Sequence, residues 1–284
     1  MKKIFFIAIA IIASSFFQKS NAQSNRSCCV KPATTEFAML GKEESFKDAH
    51  LSPVPFNYVP HGGKMISITC LDGRDANAFE IKAEGNNHKY LFVIHEWWGL
   101  NDYVKQEAEK LFHDLKDVTV IALDLFDGKT CTNADSAAQL MQTADEQRIR
   151  TILNGASDYA GSKARIQTLG WCFGGGWSLQ ASIQLGEKAA GCVIYYGYPE
   201  KDRKKLGTLK APVLGLFAKQ DGWITPEIVN AFEKNLNDLK IPHTVKSFDA
   251  DHAFANPSNP KHDSAATAEA NKLALDFLKK NSGK

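Results

Sequence analysis

The chain has 284 residues, a formal net charge of +2, 44% hydrophobic and 23% charged residues, and six cysteines. That length and balance suit one α/β domain with a large core. The near-neutral charge argues against nucleic acid or a charged membrane surface as partner.

The N-terminus reads as a separate unit. Met1-Lys2-Lys3 is a basic start, residues 4–13 form an apolar run too short to span a bilayer, and Ser20-Asn21-Ala22 offers small residues for cleavage. Residues 1–22 are therefore expected to be a secretory signal peptide, which implies a periplasmic or secreted protein. Cys28 lacks the small apolar residues that precede a lipidated cysteine. Removing 1–22 removes three lysines and no acid, which takes the net charge from +2 to −1.

Residues 23–64 carry Pro53, Pro55, Pro60 and Gly62-Gly63 and read as an extended, irregular N-terminal arm. From residue 65 to 284 the pattern predicts one α/β domain. Strands are expected near 66–70, 78–82, 90–95, 117–123, 165–170, 191–196, 211–217 and 243–248. Helices are expected near 101–115, 134–159, 174–186, 225–239 and 264–280. The later alternation predicts a mostly parallel central sheet with helices on both faces, and the early pair around Asp72-Gly73 predicts a hairpin-like edge.

Four segments carry chemistry. The first is the strand end His95-Glu96-Trp97-Trp98-Gly99. The second, Gly170-Trp171-Cys172-Phe173-Gly174, is a Gly-x-nucleophile-x-Gly turn between a strand and a helix. It has the pattern of a nucleophile elbow, with a thiol in place of a hydroxyl. The glycines permit a sharp turn, and the helix N-terminus favours the thiolate. The third segment places Asp221 in a polar turn after a strand, and the fourth places His252 after another. A lone acid in a turn is ordinarily a turn former, and a lone histidine is ordinarily structural. The order Cys172, Asp221, His252, each just past a strand, is the chain order of an α/β-hydrolase triad. In that triad His takes the nucleophile's proton and Asp fixes the His tautomer. The backbone N–H groups of Trp97 and Phe173 are then the expected oxyanion hole.

Together these segments resemble the dienelactone hydrolase family, over roughly residues 65–280. The matching motifs are His-Glu-Trp-Trp-Gly-Leu-Asn (95–101), Asp-Leu-Phe (124–126), Gly-Trp-Cys-Phe-Gly-Gly (170–175), Tyr-Tyr-Gly (195–197), Gln-Asp (220–221) and Asp-His-Ala-Phe (251–254). The resemblance implies an α/β-hydrolase fold and a Cys172–Asp221–His252 triad. It also implies that Glu96 pairs with the resting thiol and receives its proton when substrate binds. Members that cleave dienelactone hold the substrate carboxylate with two arginines. At the matching positions this chain has Asp127-Gly128-Lys129 and Asn256. Lys129 supplies a point charge but no bidentate fork.

Loops at the strand C-termini are expected to place Trp98, Lys129, Trp223 and Phe254 near Cys172, lining a substrate pocket for an apolar acyl group. Ordinary packing at loop bases is the alternative for each. In an exported protein, Cys28, Cys29, Cys70 and Cys131 are candidates for disulfides, with three possible connectivities, and Cys192 reads as a buried thiol. No metal and no cofactor are expected. The expected partner is a small ester or lactone, with neither nucleic acid nor a membrane after signal cleavage, and the expected state is a monomer. The leading reading is a cysteine hydrolase of small esters or lactones acting through an acyl-enzyme. An amidase or peptidase with the same triad and a binding or thiol-redox protein on a hydrolase scaffold are the alternatives.

Overall fold

The computed structural model describes residues 1, 31–85, 87–260 and 262–282. The expected signal peptide, Cys28 and Cys29 lie outside the described residues.

Eight strands form one sheet. They are β1 (Lys64–Ile68), β2 (Ala76–Ile81), β3 (Lys89–Ile94), β4 (Thr119–Leu123), β5 (Arg165–Trp171), β6 (Ala189–Tyr195), β7 (Val213–Ala218) and β8 (His243–Phe248), in the spatial order β1-β2-β4-β3-β5-β6-β7-β8. β1 and β2 are antiparallel and form the edge hairpin, and from β4 to β8 every pairing is parallel. Strands covered on both faces must be apolar throughout, and Leu91 to Ile94 and Cys192 to Tyr195 are fully buried. This is an α/β-hydrolase architecture, with β3, β5, β7 and β8 each ending beside the site described below.

The helices of the domain are α3 (Asp102–Leu115), α4 (Ala134–Thr143), α5 (Glu146–Ala160), α6 (Phe173–Leu185), α7 (Arg203–Leu206), α8 (Pro226–Asp238) and α9 (Ser264–Ser282). In place of the single helix expected over 134–159, the chain breaks at Ala144-Asp145. The reason is a new N-cap, since the Asp145 side chain accepts a 2.9 Å hydrogen bond from the Gln147 amide. The short α7 is started by Asp202, whose side chain accepts from the amides of Lys204 and Lys205.

The arm also differs from its expected form. Its described part holds two helices, α1 (Ala33–Leu40) and α2 (Glu44–Ala49), and is irregular only from residue 50 to 63. Pro53, Pro55 and Pro60 sit after residue 50, and Pro32 stands at the N-cap of α1, so none of them interrupts a helix. Phe37 and Phe46 are both buried and pack edge to face at 5.8 Å. The irregular run is tied to α3 by Glu109, which accepts hydrogen bonds from the Tyr58 hydroxyl and from the amides of His61 and Gly63. Phe46 sets α2 against Trp97, Trp223 and His252, in the loops that follow β3, β7 and β8.

Cys70, Cys131, Cys172 and Cys192 carry free thiols, so Cys70 and Cys131 do not pair with each other. No described helix is long and apolar enough to cross a membrane.

Candidate active site

Cys172 sits between β5 and α6 at φ 55°, ψ −116°. A non-glycine residue tolerates that left-handed conformation only where the surroundings enforce it. Here they do. The Cys172 amide donates to the Tyr195 carbonyl at 3.0 Å, and its carbonyl accepts from Gly175 and Gly176. The flanking glycines are required by close approach: a Cβ on Gly170 would lie 2.1 Å from the Gly174 carbonyl oxygen, and one on Gly174 2.3 Å from those of Ile94 and His95. The turn holds Sγ at the N-terminus of α6, where the Phe173 amide faces the sulfur.

His252 and Asp221 reach the same point from the ends of β8 and β7. His252 Nε2 is 3.4 Å from Cys172 Sγ, and His252 Nδ1 is 2.6 Å from Asp221 Oδ2. A carboxylate only accepts, so Nδ1 carries the hydrogen and Nε2 faces the thiol with its lone pair. Asp221 Oδ1 is held by the amides of Trp223 and Ile224, both at 2.9 Å. Burial by itself raises the Asp221 pKa, but the His252 charge, its hydrogen bond and those two amides outweigh it and keep the carboxyl below its usual range.

Glu96 ends β3. Its Oε2 accepts from the Asn256 side-chain amide, and Asn256 Oδ1 in turn accepts from the Ser258 amide at 2.7 Å. Burial pushes the Glu96 pKa up to about 8, against the hydrogen bonds from Ser258 and Asn256. The Cys172 thiol is pushed well above its ordinary value, first by burial and then by the Glu96 charge, with the Phe173 amide opposing. Glu96 thus acts on the thiol through its field, while the side chains within hydrogen-bonding distance of the sulfur are imidazoles. His95 braces this loop: its Nδ1 donates to the Glu96 carbonyl at 2.6 Å and its Nε2 accepts from the Leu125 amide at 3.0 Å.

Sequence reasoning missed three contributors. His50, just past α2, places Nε2 3.8 Å from Cys172 Sγ, and Phe46 packs its ring on Trp97 at 5.4 Å and on Trp223 at 5.1 Å. Tyr196 sets its ring 5.2 Å from that of His252 and leaves its buried hydroxyl with no partner among the described residues, as Glu96 leaves Oε1. A histidine after a short amphipathic run is a weak signal in sequence, and the double Tyr195-Tyr196 reads first as strand core.

The expected pocket residues divide. Trp223 is half-buried, with its ring 5.9 Å edge-on to His252, and its Nε1 donates to Glu43. Phe254 packs on Tyr196 at 5.3 Å, one ring removed from His252. Trp98 is buried behind Trp97 at 4.9 Å and lends its carbonyl to the Cys131 amide. Lys129 is solvent-exposed and meets the site's loop through its carbonyl against Gly99, whereas Cys172, His252 and Asp221 are buried. The neighbouring Asp127 is committed to the buried Arg148 by bidentate bonds of 2.7–3.2 Å. A cleft of ≈ 440 Å³ leads to His252, lined among others by Ala49, Leu51, Asp249 and Phe254.

A strand-to-helix thiol elbow, an imidazole and a carboxylate on an eight-stranded, mostly parallel sheet define the α/β-hydrolase class. Within that class the comparisons are specific. The profile of the dienelactone hydrolase family matches residues 77–282, and the chain belongs to that family. By class it is a lactone or ester hydrolase. It is similar to a putative carboxymethylenebutenolidase of Aquifex aeolicus, 24% identical over 202 residues, covering 66% of this chain and 87% of that protein. A second putative carboxymethylenebutenolidase, from Saccharolobus solfataricus, is 24% identical over 253 residues, covering 74% and 95%. The crystal structure of a putative dienelactone hydrolase from Klebsiella pneumoniae shares the fold at TM-score 0.64 and 18% identity, covering 76% of this chain and 97% of that one.

Proposed function

We propose that this protein is an exported hydrolase of small neutral esters or lactones that uses Cys172, His252 and Asp221 as a triad. The observation that carries the reading is the pair of contacts in line: Sγ to Nε2 at 3.4 Å and Nδ1 to Oδ2 at 2.6 Å, with the thiol on a strained elbow.

The chemistry follows from the geometry. His252 Nε2 takes the thiol proton as Sγ attacks the acyl carbon, and Asp221 stabilises the imidazolium. The negative charge that develops on the carbonyl oxygen is met by the Phe173 amide at the start of α6 and by the Trp97 amide. Collapse expels the alcohol, which takes the proton from His252, and leaves a thioester. Water then attacks it with His252 as base, which releases the acid and restores the thiol. A high resting thiol pKa keeps Cys172 protonated between turnovers, which protects it from oxidation outside the cytoplasm.

Export rests on the sequence of residues 1–22, whose removal would leave a nearly neutral chain acting as a monomer. The decisive experiment is turnover of an activated aryl ester by the wild type and by Cys172→Ala. Loss of turnover in a folded variant is expected, and turnover near the wild-type rate would end the triad reading.

A further inference from the structure

The active site holds a second imidazole for which the hydrolysis scheme has no use. His50 Nδ1 lies 2.6 Å from the Phe46 carbonyl, which only accepts, so Nδ1 carries the hydrogen and Nε2 presents a lone pair to Cys172 Sγ at 3.8 Å. His252 does the same at 3.4 Å, with its Nδ1 bound to Asp221. Two acceptors therefore converge on one sulfur, and a thiol has one hydrogen to give. One lone pair stays unmatched in a buried space.

We propose that Cys172, His50 and His252 form a binding site for a single borderline-soft cation of the zinc type, which blocks the nucleophile reversibly. The three ligand atoms lie within 4.8 Å of one another, and all three residues are buried. In a tetrahedral site with Zn–S of about 2.3 Å and Zn–N of about 2.0–2.1 Å, the S···N edges are about 3.5 Å long. The observed S···N edges of 3.4 and 3.8 Å bracket that length, while the two nitrogens, within 4.8 Å of each other, must close to about 3.4 Å on binding, which asks one imidazole to shift toward the other. Thiolate and imidazole are the ligands such a cation prefers. Both imidazoles already have the outer partner that orients a metal-bound histidine, a carboxylate for His252 and a backbone carbonyl for His50. Rings also fix His50, which sits 4.2 Å from Phe46 and 4.5 Å from Trp97. Three protein ligands leave the fourth vertex for water. On binding, a metal–sulfur bond forms and the S–H bond breaks, and the proton leaves to solvent, one per ion. The sequence shows none of this, because the ligands stand 122 and 80 positions apart.

The test uses the full chain, stripped with a chelator and titrated with Co²⁺ alone. We expect one equivalent to give a sulfur-to-cobalt charge-transfer band with the intense visible bands of tetrahedral cobalt, both displaced by Zn²⁺. Because the chain has six cysteines, the assignment rests on variants. Cys172→Ser should lose the charge-transfer band, and His50→Phe should bind Co²⁺ at least about tenfold more weakly. Proton release gives a readout independent of variant folding: wild type in weak buffer should release one proton per Zn²⁺, and protein alkylated at Cys172 should release none. Absence of the band in wild type, its survival in Cys172→Ser, or unchanged affinity in a folded His50→Phe overturns the site. The spectra need no turnover, so failure of the ion site and failure of the hydrolase reading are told apart.

Discussion

The side-chain amide of Asn256 donates to the carboxylate of Glu96 across 160 positions of sequence, inside a fully buried pair next to the candidate nucleophile. By the motif resemblance, Asn256 falls at a position where an arginine for a substrate carboxylate would be expected. The amide satisfies one carboxylate oxygen without adding charge, so burial dominates and the Glu96 pKa rises to about 8. A neutral Glu96 at pH 7 and a charged one above pH 8 are different neighbours for a thiol.

Alkylation of Cys172 should report that change. Below pH 8 Glu96 is mostly protonated, and Glu96→Gln should alkylate at nearly the wild-type rate. As pH rises through about 8 the wild-type carboxylate ionises and opposes the thiolate, so the variant should pull ahead. Iodoacetamide rates at Cys172 from pH 6 to 10 check this, and parallel profiles for the two proteins would contradict it.

Glu96 also sets a stability slope. Its folded pKa of about 8 lies above the ordinary 4.5. The folded state therefore holds a proton that the unfolded state releases. The stabilisation is full below about pH 4.5 and is lost as pH rises to about 8, at up to about 1.4 kcal/mol per pH unit for one proton. Glu96→Gln should remove that part of the slope. Urea unfolding of both proteins at pH 5 and pH 8, with chelator present, measures it.

His252 and Asp221 should behave as one unit in catalysis. Removing either carboxylate or imidazole is expected to lower kcat by several orders of magnitude, and the double variant should be little worse, because the second loss removes nothing still in use. Cys172→Ser should be weak, since a hydroxyl needs more activation than this arrangement supplies. Single-turnover ester hydrolysis across the four proteins decides it, and full additivity would separate the two residues.

Phe46 should govern acyl size. Its ring is fully buried between Trp97 and Trp223, 6.0 Å from His252. Phe46→Ala should cost about 3–5 kcal/mol if α2 stays rigid, and less if it settles inward. The vacated space should raise kcat/KM for longer acyl esters relative to acetates. Equal losses along an acyl-length series would mean that Phe46 only props the fold.

Neutral esters and lactones should be better substrates than carboxylate-bearing ones. Asn256 is engaged by Glu96, Lys129 is exposed, and Asp127 is held by Arg148. An anionic group entering the site meets a buried carboxyl, and no guanidinium stands among the described residues lining the cleft beside His252, so its desolvation costs a few kcal/mol. kcat/KM for both classes at matched leaving-group pKa tests this, and a preference for the anions would reveal a cation acting in the arginines' place.

Local chemistry made much of this legible in the sequence. An apolar run that ends in Gly-Trp-Cys-Phe-Gly-Gly has few other structures open to it, because backbone contacts of 2.1–2.3 Å from a would-be Cβ exclude side chains at Gly170 and Gly174. Buried parallel strands advertise themselves as unbroken hydrophobic runs, so β3, β5, β6 and β7 were readable along with the order Cys172, Asp221, His252. Tertiary packing alone decided the rest. The short helices α1 and α2 depend on burying Phe37 and Phe46 against the domain, a gain invisible to propensity over so short a stretch. Only the docking of that segment brings His50 to Cys172 and Phe46 between the tryptophans, and only the folded loops give Asn256 to Glu96 and Asp127 to Arg148. A side chain's partner is set by what the fold brings within a few ångströms of it, and position along the chain carries no record of that distance.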